Sequence, residues 1–485
     1  MDHGILPSLN IEEQKSSTDL SINNMMFRLK LVTWNVGVAA PPDDLSDLLG
    51  WKSETQGVDM YVIGLQEVNS KVLNFISDMA FDDPWSNFLM DALSLLGYVK
   101  ISSLRMQGLL LLIFVKYCHI PFIRDIKSSY TRSGLYGYWG NKGGVAIRLS
   151  LYGHMICFLN CHLPAHMENA NQRLDTFENI LEMQQFPGTK SPSILDHDVL
   201  FWFGDLNFRI ESHGIHFIRE AIDGKRLHLL WDKDQLNIAK KKEKFLEGFE
   251  EGSLNFKPTY KFDLNSDLYD TRAPKILLGF NGKKRKPAWT DRILWRIKNV
   301  SHSSEKDTLA TEQPIKVILE NYSSHMTYSI SDHKPLSGTF TLEYKKLDCK
   351  PMVTIQPEGV WSADHDVIVR YSTAEEFPSS SWDWIGLYKV GFRNPNDYMM
   401  YLWVKDDEIG FGEDFTQVYI SAEEIPVQGG EFILCYYSNK MQSIAGISQP
   451  FQVQQSKTSQ RLQTTHENFS TGNNTPNDIS SHEYF

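Results

Sequence analysis

Residues 198–208 read DVLFWFGDLNF. Five apolar residues in a row, 199–203, lead through Gly204 into Asp205 and Asn207. An apolar run of this length with no alternation reads as a strand buried on both faces, as in the interior of a layered α/β domain. Its polar end is costly in such a core unless something there satisfies the carboxylate and the amide.

Similar runs lie on either side. FRLKLVTWNV, DMYVIGLQEV, LLLLIFVKY, GGVAIRLSLYG, HMICFLNCHL, DRILWRI and PLSGTFTLEY all read as strands. NANQRLDTFENILEMQ reads as an amphipathic helix with Leu174, Phe177, Ile180 and Leu181 on one face. Strands mixed with such helices give an α/β class. The tandem GGVAIRLSLYG–HMICFLNCHL predicts a hairpin turning at Tyr152-Gly153, so the sheet is mixed. Beyond residue 345 the character changes. Short aromatic runs (MVTIQ, VIVRYS, WDWIGLYKVG, YMMYLWV, TQVYIS, EFILCYYS, PFQV) predict a small all-β sandwich over 349–453. Residues 27–345 form the first domain, and 1–26 and 454–485 are polar and expected to be disordered.

The length of 485 residues suits two domains, and 41% hydrophobic with 22% charged residues is ordinary for a globular chain. A net charge of −12 argues against a protein that coats nucleic acid, while leaving room for a local basic pocket. Cys118, Cys157, Cys161, Cys349 and Cys435 have no metal-ligand spacing and fit a reducing compartment. No run is long enough to span a bilayer, so a cytosolic chain with peripheral membrane contact is expected.

The chemistry gathers at strand ends: Asn35 in TWN, Glu67 in GLQEV, His162 in NCHLP, Asp205 and Asn207, and Asp332 with His333 in SDHKP. Each alone reads as a cap or turn former. Together they read as a site. Oxygen donors suit a hard cation such as Mg²⁺, with Glu67 the leading ligand. Asp205 could position and deprotonate a water, and Asn207, His162 and His333 could donate to phosphoryl oxygens. Nothing here has the spacing of a zinc site, and GYWGNKGG lacks the order of a nucleotide-binding P-loop.

In order, TWN, GLQE, GYWGNKGGV, NCHL, WFGDLNFRI, PTYKF, KRKPAWTDRILW and SDHKP resemble the inositol polyphosphate 5-phosphatases of the exonuclease–endonuclease–phosphatase superfamily. WDWIGLYKVG and EFILCYYSN resemble the carboxyl-homology domain of one subgroup. The resemblance implies a four-layer α/β sandwich followed by the all-β domain. It implies Mg²⁺ on Glu67, supported by Asn35 and Asp332. Asp205 with Asn207 would orient and activate the attacking water, with no covalent intermediate. His162 would contact the scissile phosphate, and His333, oriented by Asp291, would bind it. Tyr260, Lys261, Lys283 and Arg285 match positions that hold the 4-phosphate; Asn141 and Lys142 match the side facing the 1-phosphate and lipid. The implied substrates are 5-phosphorylated phosphoinositide head groups at membrane surfaces. The implied locations are the endoplasmic reticulum and membrane ruffles, with a protein partner for the second domain.

Two features depart from the family pattern. Residues 273–282 look inserted, and Thr290 stands where most relatives carry cysteine, a change expected to be neutral. In the second domain, WDWIG alternates with one face inward, which sets Trp382 and Trp384 in the core rather than on a partner surface. A related nuclease would need a broad basic face. A scaffold with a dead phosphatase domain would have lost core positions that are intact here, and a sphingomyelinase-like enzyme would release phosphocholine.

Overall fold

The structure, a computed structural model, describes residues 24–51, 57–68, 83–135, 139–188, 191–271, 285–298, 315–347, 350–405, 408–411 and 415–457. Most of the two segments expected to be disordered lies outside these residues, as do the 273–282 insert, Lys283 and Cys349.

Two six-stranded sheets form the first domain. The first contains β1 (Met25–Asn35), β2 (Met60–Gln66), β3 (Tyr98–Met106), β4 (Leu109–Lys116), β11 (Ile315–Ser324) and β12 (Leu336–Tyr344), in the order β11-β12-β1-β2-β4-β3. The second contains β5 (Ile123–Leu135), β6 (Trp139–Leu151), β7 (His154–His162), β8 (Val199–Asp205), β9 (Phe249–Glu251) and β10 (Asp291–Ile297), in the order β5-β6-β7-β8-β10-β9. Each sheet has one parallel pair near its middle, β1/β2 and β7/β8, among antiparallel neighbours. The hairpin is as expected: Leu151 pairs with His154, and Tyr152 and Gly153 take φ of 49° and 92°, the left-handed values a tight two-residue turn demands.

Alternation along each strand sorts side chains into layers. Leu29 and Leu31 of β1 join Val62, Ile113, Ile147, Phe158, Phe201 and Phe203 in the core between the sheets. Val32 and Trp34 face outward under α1 (Ser46–Leu49) and α2 (Pro84–Ser94). On the other side Leu159, Leu200 and Trp202 lie under α3 (Ala170–Met183) and α4 (Gln235–Lys240). The Phe177 ring of α3 stacks on Trp202. Helix, sheet, sheet, helix is the four-layer α/β arrangement. Phe177, Ile180 and Leu181 are buried on α3 as expected, but Arg173 is buried too, donating to the carbonyls of Pro164 and His166.

Ten strands from β13 (Val353–Glu358) to β22 (Phe451–Gln454) form the second domain as two packed sheets, the all-β sandwich expected. Its tryptophans differ from expectation. Trp382 is 63% exposed, edge-on to Trp403, and Trp384 is half-buried outside the sandwich core, stacked on Tyr437. The strand β16 (Trp384–Lys389) begins only at Trp384, so Trp382 lies in the preceding turn and escapes the alternation.

The sandwich is docked on the first domain. Phe392 meets Tyr117 ring to edge, and the Tyr117 hydroxyl donates to the Phe392 carbonyl at 2.6 Å. Ile444 and Pro395 face Ile101, Ile120, Ile123 and Ile126. Arg393 pairs with Asp91 of α2 at 2.7 Å.

Candidate active site

Register builds the site before any side chain is considered. His162 pairs with Asp205, and Asp205 pairs with Asp291, so the three residues stand side by side at one end of the second sheet. Asn35 and Gln66 end the parallel pair of the first sheet, also side by side. Beneath this junction Gln66 donates to Asn160 at 2.7 Å, tying one sheet to the other through a buried amide pair. The loop before β12 carries Asp332 and His333 over the same end, pinned where Trp34 donates to the His333 carbonyl and Ser331 to the Asn35 carbonyl.

Asp205 is the hub. It is 1% exposed and accepts from the Asn35 amide at 3.0 Å and from the Asn207 backbone N–H at 3.2 Å. Nε2 of His162 lies at 3.3 Å and Nε2 of His333 at 3.9 Å. Burial works to raise its pKa, but His333, His162 and Lys142 together outweigh that and hold the carboxyl well below the usual range. Asp205 is ionised at any physiological pH.

His333 sits between two carboxylates. Burial works against its charge, yet Asp291 and Asp205 prevail and push its pKa up to about 10. The Asp291 oxygen facing its Nδ1 also accepts from Thr259 and Thr290, at 2.6 and 2.9 Å. Thr290 is therefore a working donor in this network. The other Asp291 oxygen is buried without a hydrogen-bond partner. His162 goes the other way: burial lowers its pKa, the Asp205 hydrogen bond opposes this, and Lys142, in contact with its Nε2, adds to it. The same cluster of charges thus favours the proton on His333, while burial and Lys142 disfavour it on His162.

Glu67 has φ of 55°, which turns the chain sharply after β2, and its carboxylate is partly exposed, 3.8 Å from His162. Asp332 is bonded to Lys261 rather than drawn to Asn35 or Glu67. Tyr260 lays its ring 4.6 Å from that of His333. Arg285 is exposed and reaches His166 at 3.4 Å. Asn141 and Lys142 lie on β6.

Arg209 belongs to the site although it is not one of the strand-end residues. It donates to the Asn207 carbonyl at 3.0 Å, touches the Asn207 side-chain oxygen, and lies over the Tyr260 ring at 4.3 Å. Its position two residues past Asn207 in DLNFR was the available signal.

Among the described residues, two donor sets could hold a cation. Ligand atoms of Asp205, Asp291 and His333 lie within 4.8 Å of one another. A ring nitrogen that keeps its proton cannot ligate, however, and His333 is held as the cation. Glu67 and the Asn35 side-chain oxygen, which accepts from the Gly37 N–H at 3.1 Å, offer oxygen donors of the kind a hard ion takes.

The model of the Endonuclease/Exonuclease/phosphatase family 2 matches residues 32–339, and that of the SKICH domain matches 353–453. Within that class, the chain belongs to the inositol polyphosphate 5-phosphatase family, which are phosphoric monoester hydrolases. It is 50% identical to mouse inositol polyphosphate 5-phosphatase K, over 93% of each chain. It is equally similar to human phosphatidylinositol 4,5-bisphosphate 5-phosphatase A, over 88% of this chain but only 42% of that longer one. Among solved structures, the inositol polyphosphate 5-phosphatase domain of SPsynaptojanin, crystallised with inositol (1,4)-bisphosphate and a calcium ion, matches with a TM-score of 0.55 at 29% identity. That match covers 67% of this chain and 87% of the domain.

Proposed function

We propose that this chain is a Mg²⁺-dependent phosphoinositide 5-phosphatase. It removes the 5-phosphate of phosphatidylinositol 4,5-bisphosphate or 3,4,5-trisphosphate, and of soluble inositol polyphosphates, so damping phosphoinositide signalling. The observation that carries this reading is the buried Asp205 carboxylate, bonded by Asn35 at 3.0 Å and flanked by His162 at 3.3 Å and by the Asp291-paired His333 at 3.9 Å.

In this reading Asp205 orients a water and accepts its proton as the new P–O bond forms, while Asn207, fixed by Arg209, keeps the water in line. The imidazolium of His333 and the ammonium of Lys142 face the charge that grows on the phosphoryl oxygens. His162 donates to the same group. Glu67 and Asn35 would hold Mg²⁺, which when bound neutralises phosphate charge. Lys261, Tyr260, Arg285 and Lys283 take the neighbouring 4-phosphate, and Asn141 is assigned to the lipid side, whereas Lys142, in contact with His162, stays with the reacting phosphate. The inositol (1,4)-bisphosphate bound in the SPsynaptojanin structure carries a 4-phosphate and no 5-phosphate, the pattern this assignment requires of a product.

The enzyme would act peripherally in the cytoplasm, at the endoplasmic reticulum and at membrane ruffles, with the sandwich domain binding a protein partner. Among the described residues no helix is long and apolar enough to cross a membrane. The test is phosphate release from vesicles carrying each lipid, with Mg²⁺ or EDTA, for the wild type and Asp205→Ala. Metal-dependent release, lost in the variant and leaving the 4-phosphate in place, is expected. A folded wild type that releases nothing would refute the reading.

A further inference from the structure

The outer face of the first sheet holds a cleft of about 310 Å³, bounded by Arg28, Lys30, Tyr61, Leu96, Tyr98 and Lys116. It is far from the catalytic junction. Lys30 precedes Asn35 by five positions on β1, about 17 Å along a strand. Alternation puts Arg28 and Lys30 on the same outward face as Val32 and Trp34, but beyond the cover of α1, whose end at Leu49 and Gly50 forms one wall.

Lys30 is the unusual group. It is only 8% exposed, and among the described residues its ammonium has no hydrogen-bond or ion-pair partner. Other buried lysines here do have acceptors. Lys334 bonds Asp267 at 2.7 Å and Lys100 bonds Ser86 at 3.0 Å. Two other cations of the cleft are matched: Arg28 pairs with Glu320 at 2.6 Å and Lys116 with Asp59 at 3.1 Å. Asp47 acts on Lys30 only through space and is engaged by His325 and Thr327. Burial accordingly pushes the Lys30 ammonium down to about 8, against the pull of Asp47. The Lys30 ammonium lines the open cleft without a protein acceptor, and an anion at its tip would supply one.

The described walls bear on what the anion is attached to. Tyr61 and Tyr98 have their hydroxyls committed to the carbonyls of Leu49 and Val58, so they offer ring carbon to the cleft. Leu96 adds an exposed apolar lip. The volume exceeds that of a bare ion and stands at the lower end for small-molecule pockets.

We propose that this cleft is a second ligand site, which binds a small soluble molecule pairing an oxyanion with an apolar or ring-shaped body. The oxyanion, phosphate or carboxylate, sits on Lys30, and the body lies against Tyr61, Tyr98 and Leu96. The site stands apart from the phosphatase chemistry and does not depend on it.

The test is limited acetylation of the full-length protein, with the rate read at Lys30 by mass spectrometry. Phenylphosphonate and benzoate serve as probes and phenol as the uncharged control. Phenylphosphonate or benzoate should slow labelling of Lys30 roughly tenfold or more, the scale of one charge-assisted hydrogen bond, and phenol should not. Lys30→Met should abolish phenylphosphonate binding measured by calorimetry and leave turnover unchanged. Lys30 labelling indifferent to both anions, or slowed as much by phenol, would overturn the proposal. The labelling result stands on the wild type alone, whether or not the variant folds.

Discussion

Nδ1 of His333 lies 2.9 Å from the buried carboxylate of Asp291, and on its far side Nε2 faces Asp205 at 3.9 Å. The pairing with Asp291 and Asp205 lifts the histidine to about 10, so it keeps its proton through neutral pH and loses it only above that value. Asp291→Asn removes the leading one of the three carboxylate charges, Asp291, Asp205 and Asp332, that raise it. The alkaline fall in kcat/KM should then move from about 10 toward the ordinary histidine value of 6.5. A pH–rate profile of both proteins reads this, and an unmoved alkaline limb would show that another group sets it.

Arg209 acts on the reaction through Asn207, which it fixes at a left-handed φ of 58°. Arg209→Leu should reduce kcat by roughly ten- to a hundredfold, with a smaller change in KM, because a misplaced Asn207 loosens the water it orients. Arg209→Lys should recover little, since an ammonium cannot reproduce the planar fork. Steady-state kinetics on a soluble substrate separates the two parameters.

His119 contacts Asp59 at 3.3 Å in the first domain, away from the site. Burial lowers its pKa, but the hydrogen bond to Asp59 leads the opposing contributions and raises it from 6.5 to about 9. A raised folded-state pKa means stability fully present below 6.5 and lost as pH climbs through about 9. The loss is bounded at about 3 kcal/mol, from about 1.4 kcal/mol per unit. Urea unfolding across that window should show the decline, and His119→Gln should flatten it.

Docking of the sandwich alters what truncation should do. Removing everything after Leu347 uncovers Ile101, Ile120, Ile123 and Ile126 on the first domain. The truncated chain should melt lower and aggregate more readily, although its catalytic residues remain complete. Ile444→Asp, which buries a charge in that interface, should cost about 3 kcal/mol or more. Calorimetric scanning of both, beside turnover per folded molecule, checks this.

The eight strands legible in the sequence, β1, β2, β4, β6, β7, β8, β10 and β12, are all interior to their sheets. The four that were not, β3, β5, β9 and β11, are the four sheet edges. An interior strand buried on both faces must be apolar throughout. An edge such as YVKISSLRM or IKVILENYSS is half-exposed and keeps its mixed composition. The site was legible for a related reason: Asp205 and His162 are conspicuous because apolar strands lead up to them. Arg209 and Arg173 were not, because a buried arginine looks like any surface arginine until its acceptors are known. The docked interface left no periodic trace, since its isoleucines come from a short 3₁₀ segment and from edge strands.

The first sheet is closed by its latest member. β12 inserts between β11 and β1, pairing Met25 with Tyr344 and Thr33 with Leu336, across some three hundred residues of intervening chain. Synthesis therefore delivers the strand that completes the sheet, and His333 just ahead of it, only after every other part of the catalytic half has been made. A growing chain would carry Asp205 and His162 for a long time with no assembled centre around them. Hydrolysis should thus report the finished molecule, and a ribosome stalled before residue 333 should release a product that is inert toward phosphate esters.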